Sequence, residues 1–210
     1  MVQSIAISEH ILTLSQIQEK FGFERAQSEQ FFTEWQMDLP EIAASEKERL
    51  DRVKGNYLYQ RSQGILLEET IKMVLLSPLL ELAGFYQAPF TFWAEVSIEI
   101  EVEGDNTQLL KGGIDALVFQ QQFWVVLVEA KKATLAVELA LPQTLAYMAA
   151  NPHSDRPLFG MISNGSEFIF IKLFQKNYEL SDLFSLLPRR NQLYDVLRIL
   201  RRIGGLIGNK

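Results

Sequence analysis

The segment Val125-Val126-Leu127-Val128-Glu129-Ala130-Lys131 places the tightest constraint on how this chain can fold. Four apolar residues run without the polar alternation of a one-sided strand, so the segment needs apolar cover on both faces. It then closes on two opposite charges, Glu129 and Lys131, which lie two residues apart and therefore on one face. Burying charge is costly unless the charge is paired or bound to a metal. Either the strand emerges into solvent at Glu129, or the charges have a partner.

Asp115 weighs toward the second alternative. It sits in Gly112-Gly113-Ile114-Asp115-Ala116-Leu117-Val118-Phe119, an apolar segment that ends shortly before Phe123. If residues 120–122 form a three-residue hairpin loop, Phe119 faces Phe123 and Asp115 faces Leu127. Glu129 is then the diagonal neighbour of Asp115 on the same face, roughly 5–7 Å away. A two-residue slip sets the two acids directly opposite each other. A one-residue slip puts them on opposite faces, so the site depends on an odd loop length. Two close carboxylates repel unless a cation lies between them. A hard, oxygen-preferring cation such as Mg²⁺ fits, with Mn²⁺ as a substitute. Lys131 beside them can orient a water. Metal plus lysine is what hydrolysis of a phosphodiester requires.

Composition removes the competing chemistries. There is no cysteine, which excludes disulfides, thiolate zinc sites and cysteine nucleophiles. The two histidines, His10 and His153, are far apart in sequence, which argues against a histidine metal site or a Ser-His-Asp triad. Carboxylates and lysine must carry any catalysis. No apolar run approaches the ~18 residues of a membrane span, and the N-terminus lacks the basic and apolar regions of a signal peptide. The expectation is a cytoplasmic protein.

Periodicity along the chain predicts an α/β fold. Residues 1–62 read as a helical N-terminal extension packed on the core, with capping-box patterns at Thr13-x-x-Gln16 and Ser45-x-x-Glu48 and a helix start at Asp38-Leu39-Pro40-Glu41. Residues 63–210 read as the main domain. A helix over 64–83 carries Leu67, Ile71, Val74, Leu75 and Leu82 at helical spacing and stops at Ala83-Gly84. The period then changes to two. Val96, Ile98, Ile100 and Val102 alternate with acids over 95–103, a turn follows at Gly104-Asp105-Asn106, and strands follow over 113–119 and 123–131. A helix with a break at Pro142 comes next, then strands over 158–163 and 167–174 around an Asn164-Gly165 turn, then a helix near 191–203.

These residues and their order resemble the PD-(D/E)XK, or restriction-endonuclease-like, superfamily, over roughly 64–175. The likeness is greatest to the N-terminal nuclease domain of type I restriction motor subunits. Gly113-Ile114-Asp115-Ala116 is similar to that family's strand with the first metal-binding aspartate, and Val128-Glu129-Ala130-Lys131-Lys132 to its Glu-x-Lys strand. Gln143-Thr144-Leu145-Ala146-Tyr147 resembles a Gln-x-x-x-Tyr helix, and Ile162-Ser163-Asn164-Gly165 the hairpin after it. The resemblance implies a restriction-endonuclease-like core: a central mixed five-stranded sheet flanked by helices in the order α-β-β-β-α-β-β-α. It implies that Asp115, Glu129 and the Ala130 carbonyl bind the metal and that Lys131 positions the attacking water. It implies that a glutamate of the preceding helix joins them, Glu69 with Glu68 as alternate, and that Gln143 and Tyr147 face the site. The family's proline is absent before Asp115, and no ATPase motif follows.

The partner expected from this resemblance is nucleic acid, chiefly DNA. The net charge of −6 argues against attraction by the average field. Residues 186–210 are basic, however, and Arg198, Arg201 and Arg202 lie opposite an apolar helix face, where they can form an outward phosphate-contacting patch. These arginines can instead pair with the acidic strand at 95–103, within one chain or across a homodimer. The competing functional class is a nuclease fold that has lost catalysis and serves as a nucleic-acid- or protein-binding module; retention of Asp115, Glu129 and Lys131 together favours the enzyme.

Overall fold

The computed structural model of the protein describes residues 3–102, 108–121 and 123–207. Its N-terminal part comprises strand β1 (Gln3–Ala6), helices α1 (Ile7–His10) and α2 (Leu14–Phe21), the short strand β2 (Glu24–Arg25) and the long helix α3 (Ala44–Gln63). One continuous helical stretch follows: α4 (Glu68–Ile71), a π-helical turn over Lys72–Leu76, and α5 (Ser77–Ala83), which ends at Gly84 with φ +88°. Strands β3 (Phe90–Val102), β4 (Gln108–Gln120) and β5 (Phe123–Ala130) come next. A 3₁₀ turn over Val137–Ala140 leads into α6 (Leu141–Ala149), with Pro142 in its first turn. The chain closes with β6 (Leu158–Ser163), β7 (Glu167–Phe174), β8 (Asn177–Leu180), β9 (Phe184–Ser185) and α7 (Leu193–Ile207).

The apolar run of β5 has the two-sided cover that its sequence demands. Val126 and Val128 pack into a core formed with Leu50 and Tyr57 of α3, Leu79 of α5 and Leu197 of α7. Leu127, between them, packs into the opposite core with Ile17 of α2 and Leu145 of α6. The result is a mixed sheet between two layers of helices. Its order is β1-β4-β5-β6-β7-β8-β2, with β3 on the other edge of β4 and β9 on β7. β5 and β6 run parallel, joined by the crossover through α6, while β3–β4, β4–β5 and β6–β7 are antiparallel.

The five expected strands are present, within a sheet of nine strands among the described residues. Four strands were not legible, and two of them, β1 and β2, lie in the segment read as helical. They are four and two residues long and pair with β4 and β8. Strands this short carry no periodicity and exist only because a partner edge is available. Thr13 and Gln16 form the expected capping box at α2. Asp38-Leu39-Pro40-Glu41 does not start a helix; α3 begins at Ala44, where Glu46 accepts the Ala43 N–H at 2.7 Å. The turn after β6 is a two-residue loop at Gly165-Ser166, one residue later than the Asn-Gly signal, because Asn164 pairs with Glu167 and Gly165 takes φ +85°. The expected turn over 104–106 lies outside the described residues.

The β4–β5 hairpin departs from expectation in a way that decides the site. Gln120 pairs with Phe123, leaving two residues in the loop rather than three. An even loop alone would place Asp115 and Glu129 on opposite faces. A β-bulge restores the phase: Phe119 pairs with Trp124 but Val118 pairs with Val126, so one extra residue is taken up in β5. Val125 and Val126, neighbours in sequence, accordingly pack into the same core. Beyond the bulge Ala116 pairs with Val128, and one further step in this register sets Asp115 directly against Glu129.

Candidate active site

The site lies where the sheet opens. On one edge of β4, β5 pairs with residues 116–120 and β1 with residues 108–111. Among the described residues, 112–115 have no strand partner on that edge, so the sheet has a seam there. Side chains fill it. The Asp115 Oδ2 accepts the Ala130 N–H at 2.7 Å. The Gly113 backbone lies beside the Tyr147 hydroxyl and partly offsets the effect of its burial. Gly112 has no side chain for a steric reason: a Cβ there would sit 2.5 Å from Cε1 of the Tyr147 ring. Gly112 thus lets α6 bring Tyr147 down onto β4.

A polar chain runs outward from the seam. Lys131 Nζ donates to Glu129 Oε1 at 2.6 Å and to Gln143 Oε1 at 3.2 Å. Gln143 Nε2 in turn donates to the Tyr147 hydroxyl. Asp115, Glu129, Lys131, Gln143 and Tyr147, singled out from the sequence, therefore come together. Glu129 is 2% exposed, and its Oε2 is buried with no hydrogen-bond partner among the described residues. Burial pushes the Glu129 carboxyl up to about 8; Lys131 pulls the other way, and the charges of Asp115 and Glu68 push it further up. Burial likewise raises the Tyr147 phenol to about 12, so it stays protonated as a hydrogen-bonding group.

Of the two helix glutamates, Glu68 is half-buried and its charge acts on Glu129, whereas Glu69 is exposed. Glu68 is therefore the one of the two whose charge reaches the site.

Two residues at the site were not anticipated. Lys72, the first residue of the π-helical turn, places Nζ 2.5 Å from Asp115 Oδ1 and 2.7 Å from Glu95 Oε1. Glu95 lies across β3 from Asp115, between the pairs Ala94–Ala116 and Val96–Ile114. Burial opposes charge on Lys72, but its bonds to Asp115 and Glu95 hold the ammonium above the usual lysine range. The available sequence signals were a lone lysine in an apolar helix and the first acid of the alternating strand. A cavity of about 270 Å³ opens beside Lys72 and Asp115, walled by Met73, Tyr86 and Phe92.

The three arginines of α7 do not form an outward array. Arg198 donates to the carbonyls of Pro40 and Leu39 and pairs with Glu41. Arg201 pairs with Glu46 and donates to the Leu82 carbonyl at 2.9 Å. Arg202 reaches Asp38 at 3.2 Å. Among the described residues of this one chain they do not pair with the acidic strand either: Glu95 is held by Lys72, and Glu99 by Lys111. The apolar face of α7 is buried as read, but its other side is covered by the segment over 38–46, which periodicity could not reveal.

The donor set suits a hard cation: two carboxylates, one with a buried unpartnered oxygen, and the Ala130 backbone. The N–H and C=O of one strand residue point to the same edge, so the Ala130 carbonyl shares the seam. Among the described residues no group of three or more His, Cys, Asp and Glu side chains is arranged to hold a metal. A Mg²⁺ site needs fewer, since that ion is commonly held by one or two carboxylates with water and substrate phosphate.

The sequence matches no family model and no curated protein. Among solved structures it is similar to a fragment assigned as an HsdR subunit of a type I restriction enzyme from Vibrio vulnificus YJ016, with 20% identity and a TM-score of 0.43. The likeness covers 70% of this chain and 27% of that one, so this chain spans little more than a quarter of that protein fragment. Among the described residues no helix is long and apolar enough to cross a membrane.

Proposed function

We propose that the protein is a metal-dependent nuclease with a restriction-endonuclease-like core, hydrolysing phosphodiester bonds of DNA at the β4–β5 seam. The observation that carries this reading is the buried, unpartnered oxygen of Glu129 beside Asp115 and Lys131. Such an orphan costs about 1–3 kcal/mol unless a ligand satisfies it, and a cation does so directly. Asp115, Glu129 and the Ala130 carbonyl would hold Mg²⁺, or Mn²⁺ in its place, which supplies positive charge where the phosphoryl group becomes more negative. Lys131, fixed by Glu129 and Gln143, orients the attacking water and stabilises charge on the phosphate oxygens. Gln143 and Tyr147 hold Lys131 in place from α6, and Glu68 is the glutamate of the preceding helix that faces the same charges.

The test is cleavage of single-stranded, duplex and branched DNA with Mg²⁺ or Mn²⁺, and with chelator as control. Metal-dependent products from the wild type, lost in Lys131→Ala with its melting temperature preserved, support the reading. A second reading, a nuclease fold that binds without cutting, is favoured by Lys72, which already neutralises Asp115. Specific DNA binding without cleavage under every metal condition would select it.

A further inference from the structure

We propose that Lys72 is an internal rival of the metal ion: its ammonium holds Asp115 until a cation displaces it, and Glu95 then retains it at the rim of the site. This inference rests on the nuclease reading above and adds to it a residue that sets metal affinity. The geometry is specific. Asp115 Oδ2 is engaged by the Ala130 N–H, and Oδ1 is the oxygen that Lys72 holds at 2.5 Å. The same ammonium lies 2.7 Å from Glu95, whose side chain is 71% exposed, so it has a second partner closer to solvent. Departure from Asp115 therefore needs no new pocket for the charge.

Two backbone irregularities converge on this ammonium. Lys72 opens a π-helical turn between two α-helical segments, and such turns concentrate at functional sites. Glu95 has φ +53° inside an otherwise extended strand. A non-glycine residue in that region costs on the order of 1–3 kcal/mol and persists only where its surroundings demand it. One irregularity shifts the lysine on its helix and the other turns the glutamate on its strand, and both meet opposite Asp115. An ordinary surface ion pair would require neither. At the rim, the released ammonium is also available to a phosphate oxygen of the substrate. Metal and phosphate then favour each other's binding, because each draws Lys72 off Asp115.

The experiment measures Mn²⁺ affinity of the intact chain by the paramagnetic resonance signal of free Mn²⁺, without nucleic acid. The proteins are the wild type, Lys72→Gln, Lys72→Met, Lys111→Gln and Asp115→Asn. Lys72→Met keeps the apolar stem against Met73 and the cavity wall, in case the glutamine variant melts early. Lys111 lies four residues from Asp115 on β4 and serves as a control for general loss of positive charge. The expected result is about tenfold tighter Mn²⁺ binding in both Lys72 variants, the scale of removing a close competing charge. Lys111→Gln should change affinity by less than about twofold, because exposed charges at that distance are screened. Unchanged or weaker binding in the Lys72 variants overturns the inference while leaving the nuclease reading intact, as does an equal gain in Lys111→Gln. Absence of saturable Mn²⁺ binding in every protein, or binding that Asp115→Asn does not weaken, overturns the metal reading and this inference with it.

Discussion

At the β4–β5 seam two carboxylates meet two lysines, and one carboxylate oxygen is still buried without a partner among the described residues. On α7, Arg198 and Arg201 meet backbone carbonyls and carboxylates of residues 39–46 and of Leu82, which take up most of their donors. Both regions are rich in charge, both lie next to apolar faces, and both stand out in the sequence. The difference is in what remains unsatisfied. Arg198 and Arg201 on α7 are matched to acceptors already in the fold and clamp the N-terminal segment, and the one atom left over there among the described residues is a buried N–H of Arg202, whose other end is paired with Asp38. Charges at the seam include a carboxyl that the fold itself does not satisfy. An unmatched buried polar group is a better guide to function than the density of charge around it.

The comparison predicts opposite responses to mutation. Lys131→Ala should reduce metal-dependent cleavage on the order of 10²–10⁴-fold, the usual range for a proton-handling or water-orienting group, and should stay folded, because Glu129, whose carboxyl burial already raises to about 8, takes up a proton once its lysine is gone. Single-turnover cleavage and thermal melts measure both; unfolding of this variant would erase the distinction between the two regions. Arg201→Ala should do the reverse. Loss of its partly buried bonds to Glu46 and Leu82 should lower stability by about 2 kcal/mol, while cleavage per folded molecule holds. A drop in DNA affinity at unchanged stability would return Arg201 to the role of a phosphate contact.

The pH response sharpens the contrast. Glu129 has its folded-state value raised to about 8 from the ordinary 4.5. The folded protein therefore binds an extra proton between those values, and the associated stability is present below about 4.5 and lost as pH rises through about 8. In chelator, wild-type stability should fall with pH across this window by at most about 1.4 kcal/mol per pH unit. Glu129→Gln should remove that slope. A wild-type curve no steeper than that of the variant would mean the carboxyl is already ionised near neutrality. The smallest effect belongs to Arg202→Ala. Its partner Asp38 is 75% exposed, so the pair contributes under about 1 kcal/mol, and chemical denaturation should barely separate the variant from wild type.

Much of the central sheet was legible because β3 and β5–β7 each carry their own pattern. Alternation marks β3, and continuous apolar residues mark β5 and β6. The triad of Asp115, Glu129 and Lys131 was legible because charges closing apolar strands are conspicuous. The rest depended on partners distant in sequence. β1 and β2 are strands only because β4 and β8 present edges to them. The arginine face of α7 is visible from helical spacing, but the segment that covers it is about 160 residues away in the chain. Lys72 and Glu95 are 23 residues apart and unremarkable singly; only the pairing of β3 with β4 brings them to Asp115.

The bulge in β5 has a consequence for how motif spacings are compared. Thirteen residues separate Asp115 from Glu129, but one of them adds no step along the sheet. A relative with a three-residue loop and a regular strand would have the same count and the same facing carboxylates. A relative in which the extra residue is deleted would have a shorter count and an unchanged site, whereas a strand that straightens with that residue retained and the loop unchanged would carry the two carboxylates on opposite faces. Alignments of such hairpins should therefore allow compensating insertions and deletions between loop and strand, and a rigid spacing rule would discard true members while accepting chains whose carboxylates point apart.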